Sequence, residues 1–296
     1  MKVALLDNEN LSRFKEYCIK FRKDHDDSYL YDEDLEILAI EKDNPGFLLI
    51  ENDEIIGALS LVADDYYLSG QKARVRIFHC IESNFNHYEM LLDSLLPSNL
   101  AINEIEMFVP TSNKEVKNII NKLLFKYYRT SYVMIRRNKE KVSVSFDEGF
   151  VLKPFVQGRD EVHYMNIRNI AFKNLKGSET PMSIEHVTKL TSSKELLNKG
   201  IQILWHHDIP VGVIRMVHEE ENNIEYSFVA PIAIIPEYQG RGLGTKLLKA
   251  GIMIGYENNI YDSMLAVNGE NEDALKLYRK TGFQIDLALD CYCLYL

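Results

Sequence analysis

Apolar residues along the chain switch between a period near two and a period near 3.6, and the switches lay out the elements. In the second half, Phe150–Lys153 reads as a strand, Val162–Phe172 as a helix, and Ile184–Asn198 as another helix with Ser183 placed to cap it. Ile201–Trp205 and Val211–Val217 alternate like a hairpin joined through His207-Asp208-Ile209-Pro210. Ile224–Ile235 is a long strand interrupted near Ala230-Pro231. A helix over Thr245–Tyr256, a strand over 264–267, a helix over 272–281 and strands at Gln284-Ile285 and Cys291–Leu296 complete the order β-α-α-β-β-β-α-β-α-β-β.

The first half repeats this order. Asn8–Arg22 and Asp32–Glu41 have helical spacing. Phe47–Ile50 and Glu54–Ala63 are strands about an Asn52-Asp53 turn, and Arg74–Cys80 is a strand followed by a helix over His87–Leu96. Ile105–Val109, Lys114–Leu124 and Tyr132–Arg136 read as strand, helix and strand. Repetition at about 150 residues implies two tandem copies of one domain. The polar stretch Asn138–Asp147 is the expected joint, giving domains 1–140 and 147–296.

The chemistry concentrates in one stretch of the second copy. After the apolar Ile232-Ala233-Ile234-Ile235 come Pro236-Glu237-Tyr238, then Gln239-Gly240-Arg241-Gly242-Leu243-Gly244, then a helix beginning Thr245-Lys246. A glycine-rich loop opening a helix leaves unpaired N–H groups where the helix dipole favours an anion. A diphosphate fits, so a nucleotide-containing cofactor is implied. The dinucleotide fingerprint needs a third glycine where Thr245 stands, and the P-loop spacing does not match.

The loop resembles the acetyl-CoA loop of the GNAT superfamily of N-acetyltransferases, Gln/Arg-x-x-Gly-x-Gly/Ala. The likeness continues in Leu265-Ala266-Val267 and on through Asn271 to Ala274, Leu277-Tyr278 and Gly282-Phe283, which match that family's strand, Asn, helix, Leu-Tyr, Gly-Phe pattern. The resemblance implies an α/β fold of two tandem acyl-CoA N-acyltransferase domains, each a mixed, mostly antiparallel sheet flanked by helices. It implies acetyl-CoA as co-substrate, with Ala233, Ile234 and Ile235 as backbone contacts to the pantetheine arm. Gln239, Gly240, Arg241, Gly242, Leu243, Gly244, Thr245 and Lys246 would lie at the diphosphate, and Asn271 would also touch the coenzyme. Tyr278 matches the family tyrosine that protonates the departing thiolate. Many relatives carry a glutamate base where this chain has Ala266. Glu225, at the start of the strand leading to the loop, is the substitute candidate, with His218 a weaker one.

The first copy lacks these features. Ile81-Glu82-Ser83-Asn84-Phe85-Asn86-His87 carries no glycine and has acid where a diphosphate would sit. Setting Asn113 opposite Asn271 puts Ile120 against Tyr278 and Leu124 against Gly282, so the first copy reads as degenerate. Tandem members with an inactive copy are known in that family.

Composition narrows the partners. A net charge of −10, spread along the chain, argues against nucleic acid and mildly favours amine acceptors through steering. No apolar run approaches the length of a membrane span, and acid comes too soon after the first residues for a signal peptide, so the expected setting is cytoplasmic. Cys18, Cys80, Cys291 and Cys293 have no metal spacing, and buried free thiols are expected. The leading expectation is an N-acetyltransferase for a small-molecule primary amine. The alternatives are acetylation of a protein N-terminus or lysine, and a non-catalytic acyl-CoA-binding sensor; the sequence leaves oligomeric state open.

Overall fold

The computed structural model describes residues 1–40, 44–96, 101–137, 140–221 and 223–296. Two expectations fall partly outside them: Glu41, at the end of the second helix, and Asn138, at the joint. The chain divides into two compact units, Met1–Thr130 with Ala288–Leu296, and Ser131–Leu287. This division differs from the sequence boundaries at 140 and 147. Each unit takes its last strand from the segment that ends the other repeat.

In the first unit, β1 (Lys2–Leu5), β2 (Gly46–Glu51), β3 (Glu54–Val62) and β4 (Lys72–Cys80) run antiparallel in sequence order. Next to β4 lies β5 (Glu104–Pro110), parallel to it, and residues 289–295 pair antiparallel with β5. The β2–β3 turn is tight because Asn52 and Asp53 both adopt positive φ, a conformation these two residue types tolerate. The helix α1 (Leu11–Phe21) buries Phe14, Tyr17 and Cys18, spaced three and four apart, on one face of the sheet with α2 (Asp32–Ile37). The other face is covered by α4 (Phe85–Leu95) and α5 (Lys114–Lys122), which bury Tyr88, Leu91, Ile119 and Ile120. The strand β1 and the short helix α3 (Asp65–Ser69) carry too few apolar positions for periodicity to reveal.

The second unit repeats the plan. β7 (Phe150–Pro154), β8 (Leu196–His206), β9 (Ile209–Glu221) and β10 (Ile224–Ile234) are antiparallel neighbours. β11 (Asp262–Asn268) runs parallel to β10, and Ser131–Arg137, the end of β6 (Lys126–Arg137), closes the sheet against β11. The helices α6 (Glu161–Phe172) and α7 (Ile184–Thr191) cover one face. α8 (Leu243–Glu257) and α9 (Glu272–Lys280) cover the other. Ser183 caps α7 as expected, its hydroxyl accepting from His186 N–H at 3.2 Å. That helix stops at Thr191 rather than Asn198, because Leu196 and Leu197 already belong to the β8 ladder. The two short strands expected near the end form one, β12 (Gln284–Tyr295).

The repeat is visible in detail at the two cap regions. Asn113 accepts from Val116 N–H at 3.1 Å and Asn271 from Ala274 N–H at 3.2 Å. Past each helix a left-handed residue turns the chain, Leu124 at φ +69° and Gly282 at φ +92°. Phe125 N–H then bonds Ile120 O, and Phe283 N–H bonds Tyr278 O, both at 3.0 Å. All four cysteines are buried and free.

Candidate active site

The site in the second unit begins where two parallel strands part. β10 and β11 pair only from Tyr226 opposite Asp262 to Val229 opposite Leu265. A bulge between Val229 and Ile232 then bends β10, which runs on to Ile234 while β11 runs on to Asn268. The facing backbone edges beyond the bulge form an open wedge.

Alternation decides which groups line it. Ile235 gives its N–H to Val211 O at 3.0 Å, so Ala233 also turns toward β9. The N–H groups of Ile232 and Ile234 face the wedge. Of the three backbone contacts expected, this leaves Ile234. Ala233 is 4% exposed and packs in the cluster with Tyr164 and Val213, and Ile235 is spent on β9 and on Tyr238 N–H.

The wedge leads straight into the glycine loop. A 3-10 turn over Pro236–Tyr238 lifts the chain off the sheet, and Gln239 Nε2 ties the loop back to Ile234 O at 2.8 Å. Gly240 and Gly242 both have φ near +74°, and a Cβ on either would meet nothing within 4 Å. The ground in front of them is open. Gly242 holds the N-cap place of α8 and supplies no capping side chain; the first bonded N–H is that of Lys246, to Gly242 O at 3.3 Å. The N–H groups at the start of α8 thus lack a side-chain partner and present an anion site. Arg241 bonds Glu237 O at 2.9 Å and lies over the Tyr238 ring, and Lys246 pairs with Asp147 at 2.8 Å. Both cations border the loop on exposed, exchangeable partners. Asp147 was not legible as a neighbour from sequence. Leu243 points the other way and is buried in the core.

α9 is set against this loop. A Cβ on Gly244 would come within 2.9 Å of Leu277 Cδ1, so the start of α8 and the Leu277 turn of α9 touch. Tyr278, the next residue, is 8% exposed, and its ring lies 6.1 Å from that of Phe283. Burial pushes its phenol up to about 12, so it holds its proton at neutral pH. Asn271 spends its oxygen on the helix cap, which leaves the amide nitrogen as the group a ligand could engage. Arg136, delivered by β6, donates to Thr281 O at 3.2 Å and fixes the end of α9.

Glu225 is placed elsewhere. It lies four residues before the end of the paired ladder, roughly 13 Å at strand rise, with its side chain 63% exposed and 3.2 Å from His218 Nε2. The register thus sets the Glu225 carboxylate back from the wedge, with His218, on β9 opposite Ser227, nearer to it.

The α6 side of the wedge contains what the sequence reading missed. Arg215 lies between the register pairs that flank the bulge, and its Nη1 donates to Ala230 O at 3.2 Å. It is 8% exposed, and burial pulls its guanidinium below the ordinary value. Tyr164 on α6 is fully buried, and burial raises its phenol to about 12 against the opposing pull of Arg215 and Arg168. The signal was an arginine at an inward position of the apolar run Val211–Val217. Arg168 and Asn169 pin the α6–α7 loop, bonding Thr180 O at 2.6 Å and both backbone groups of Met182.

A strand wedge, an uncapped glycine loop opening a helix, and a tyrosine-bearing helix against that loop define an acyl-CoA N-acyltransferase fold. Residues 173–283 match the model of the Acetyltransferase (GNAT) family. The chain is similar to spermidine N(1)-acetyltransferase of Escherichia coli (strain K12), 38% identical over 76 residues covering 25% of this chain and 40% of that protein. It is similar to mycothiol acetyltransferase of Pseudarthrobacter chlorophenolicus, 30% identical over 143 residues covering 46% and 43%. The chain thus spans under half the length of these curated relatives. Among solved structures, a GCN5-related N-acetyltransferase from Sphaerobacter thermophilus aligns with a TM-score of 0.72 at 15% identity, covering 99% of this chain and 95% of that one. A tandem GNAT protein from the clavulanic acid biosynthesis pathway aligns at 0.66 and 11% identity, covering 99% and 98%. These likenesses establish a tandem GNAT fold over the whole chain. Among the described residues, no helix is long and apolar enough to cross a membrane.

Proposed function

We propose that this protein transfers an acetyl group from acetyl-CoA to the primary amine of a small molecule, using the second unit alone. The observation that carries the reading is continuity. The wedge beyond Val229 opens directly onto the uncapped N-terminus of α8, which gives one path for a long coenzyme with a diphosphate in its middle. In this reading the N–H groups from Gly240 to Thr245 hold the diphosphate, with the Arg241 and Lys246 side chains adding charge. Ile232 and Ile234 donate to the pantetheine arm and polarise the thioester oxygen. Asn271 steadies the arm from the α9 side. Tyr278 gives its proton to the departing sulfur. With Glu225 set back from the wedge, the amine arrives neutral or loses its proton to water. The relatives named for spermidine and mycothiol support a small-molecule acceptor.

The first unit is in this reading a non-catalytic copy. The test is release of free thiol from acetyl-CoA with a panel of small amines, peptides and buffer alone. Acceptor-dependent release with small amines supports the proposal. Release only with peptides would move the acceptor to protein, and tight coenzyme binding without release on any acceptor would make the protein a sensor.

A further inference from the structure

Two polar atoms behind the wedge lack partners. Tyr164 Oη is buried, on a side chain with no exposed surface, and makes no hydrogen bond. Arg215 Nε is likewise buried and unbonded. Among the described residues, no carboxylate lies within ion-pairing distance of Arg215. Glu195, the acid whose field reaches it, is engaged by the Ser193 hydroxyl. Arg168 adds a second buried guanidinium near Tyr164. A guanidinium and a phenol left with open donors in a buried place are costly unless an acceptor of hydrogen bonds joins them. Arg215 carries its charge there with no ion-pair partner among the described residues, so an anion is the acceptor that suits it. The place is also specific: Arg215 grips Ala230 O at the bulge, and residues 230–232 there are partly exposed.

We propose that the second unit holds its acceptor by a carboxylate, received by Arg215 Nε and Tyr164 Oη beside the bulge. The acceptor class is then an amine that carries a carboxylate on the same short scaffold, as an amino acid does. This rests on the acetyltransferase reading and deepens it: a carboxylate anchored at the bulge puts an amine one or two carbons away beside Ile232 N–H, where the thioester is expected.

The experiment compares amino acids with their carboxamides, in thiol release from acetyl-CoA and in thermal shift of the protein without coenzyme. The acids are expected to exceed the amides about tenfold in kcat/KM, the effect of one charge-assisted hydrogen-bonded pair. They should also raise Tm where amides do not. In Tyr164→Phe, which keeps the packing volume, the acid-to-amide ratio should fall several-fold, and in Arg215→Met it should approach one. Equal use of acids and amides by the unsubstituted protein, with no acid-specific thermal shift, overturns the inference. So does retention of the ratio in both variants, or an equal slowing on both substrates, which would mark a structural or oxyanion role. If no amine releases thiol, the acetyltransferase reading fails. The acid-specific shift and its loss in Tyr164→Phe then decide the carboxylate site alone.

Discussion

Gly57 of the first unit and Gly212 of the second begin the same local path, and beyond them the two units differ in chemistry far more than in course. In both units the next strand pairs in parallel for a few residues, bulges and parts from its neighbour. The first unit pairs from Lys72 opposite Glu104 to Arg74 opposite Glu106, with the irregularity at Ser60/Leu61. The second pairs to Val229 and bulges next to Arg215. Ser60 thus takes the place that Arg215 has in the second unit. Beyond the bulge the first wedge is bridged. His79 on β4 bonds Tyr17 Oη at 2.7 Å, lies 3.8 Å from Asp24 and stacks on Phe21. Asn113, at the cap of α5, donates to Asp24 O at 3.4 Å. The turn that carries Asp24 therefore ties both arms of that wedge together. The helix after β4 is capped by Asn84, whose side chain accepts from Asn86 N–H. In the second unit the loop after α6 reaches the β11 arm, with Asn268 Nδ2 donating to Lys176 O at 3.3 Å and Lys176 pairing with Glu270 at 3.1 Å, and among the described residues no side chain caps α8. On the proposed reading, a repeat keeps the apolar positions that build its sheet and changes its chemistry through a handful of polar residues at the open ends of strands.

The comparison can be broken most strongly at the glycine loop. Gly242→Val forces a β-branched residue into φ +74°. It should weaken coenzyme binding by on the order of a hundredfold, read by calorimetry, while the matching loop change Ser83→Val leaves binding as it was. Tyr278→Phe should lower kcat by roughly a hundredfold with acetyl-CoA affinity nearly unchanged. Wild-type kcat in that variant would remove the acid role.

The two cap asparagines sharpen the contrast. Asn271→Ala and Asn113→Ala should each cost about 1 kcal/mol of stability, measured by denaturant unfolding. Only the first should raise KM for acetyl-CoA. The smallest effect concerns acid. Burial lowers His79 to about 4 from an ordinary 6.5. The unfolded chain then takes up its proton first, so stability is full above about pH 6.5 and declines as pH falls toward 4. Tm against pH should show this slope, and His79→Gln should flatten it.

Most of the fold was legible because amphipathic strands and helices announce themselves by period. The cap at Asn271 and the turn at Gly282 were legible because their residue types have local jobs. The exchange of the last strands was not, since Ser131–Arg137 and Cys291–Tyr295 alternate alike and periodicity does not name a partner. How far Glu225 stands from the wedge was not legible, because the distance from a strand's start to its bulge is set by register. That Ala233 and Ile235 turn their N–H groups to β9 was hidden for a related reason: which N–H faces the wedge depends on a hydrogen-bond alternation fixed by β9. Arg215 and Tyr164 went unread because they lie 51 positions apart in the chain, one on β9 and one on α6.

The central claim is that one wedge of the two receives coenzyme A. Calorimetric titration of the full chain with coenzyme A tests it most directly. The account predicts one molecule bound per chain, with binding lost in Gly242→Val and kept in His79→Gln. Two molecules per chain, or binding that survives in Gly242→Val and disappears in His79→Gln, would contradict it.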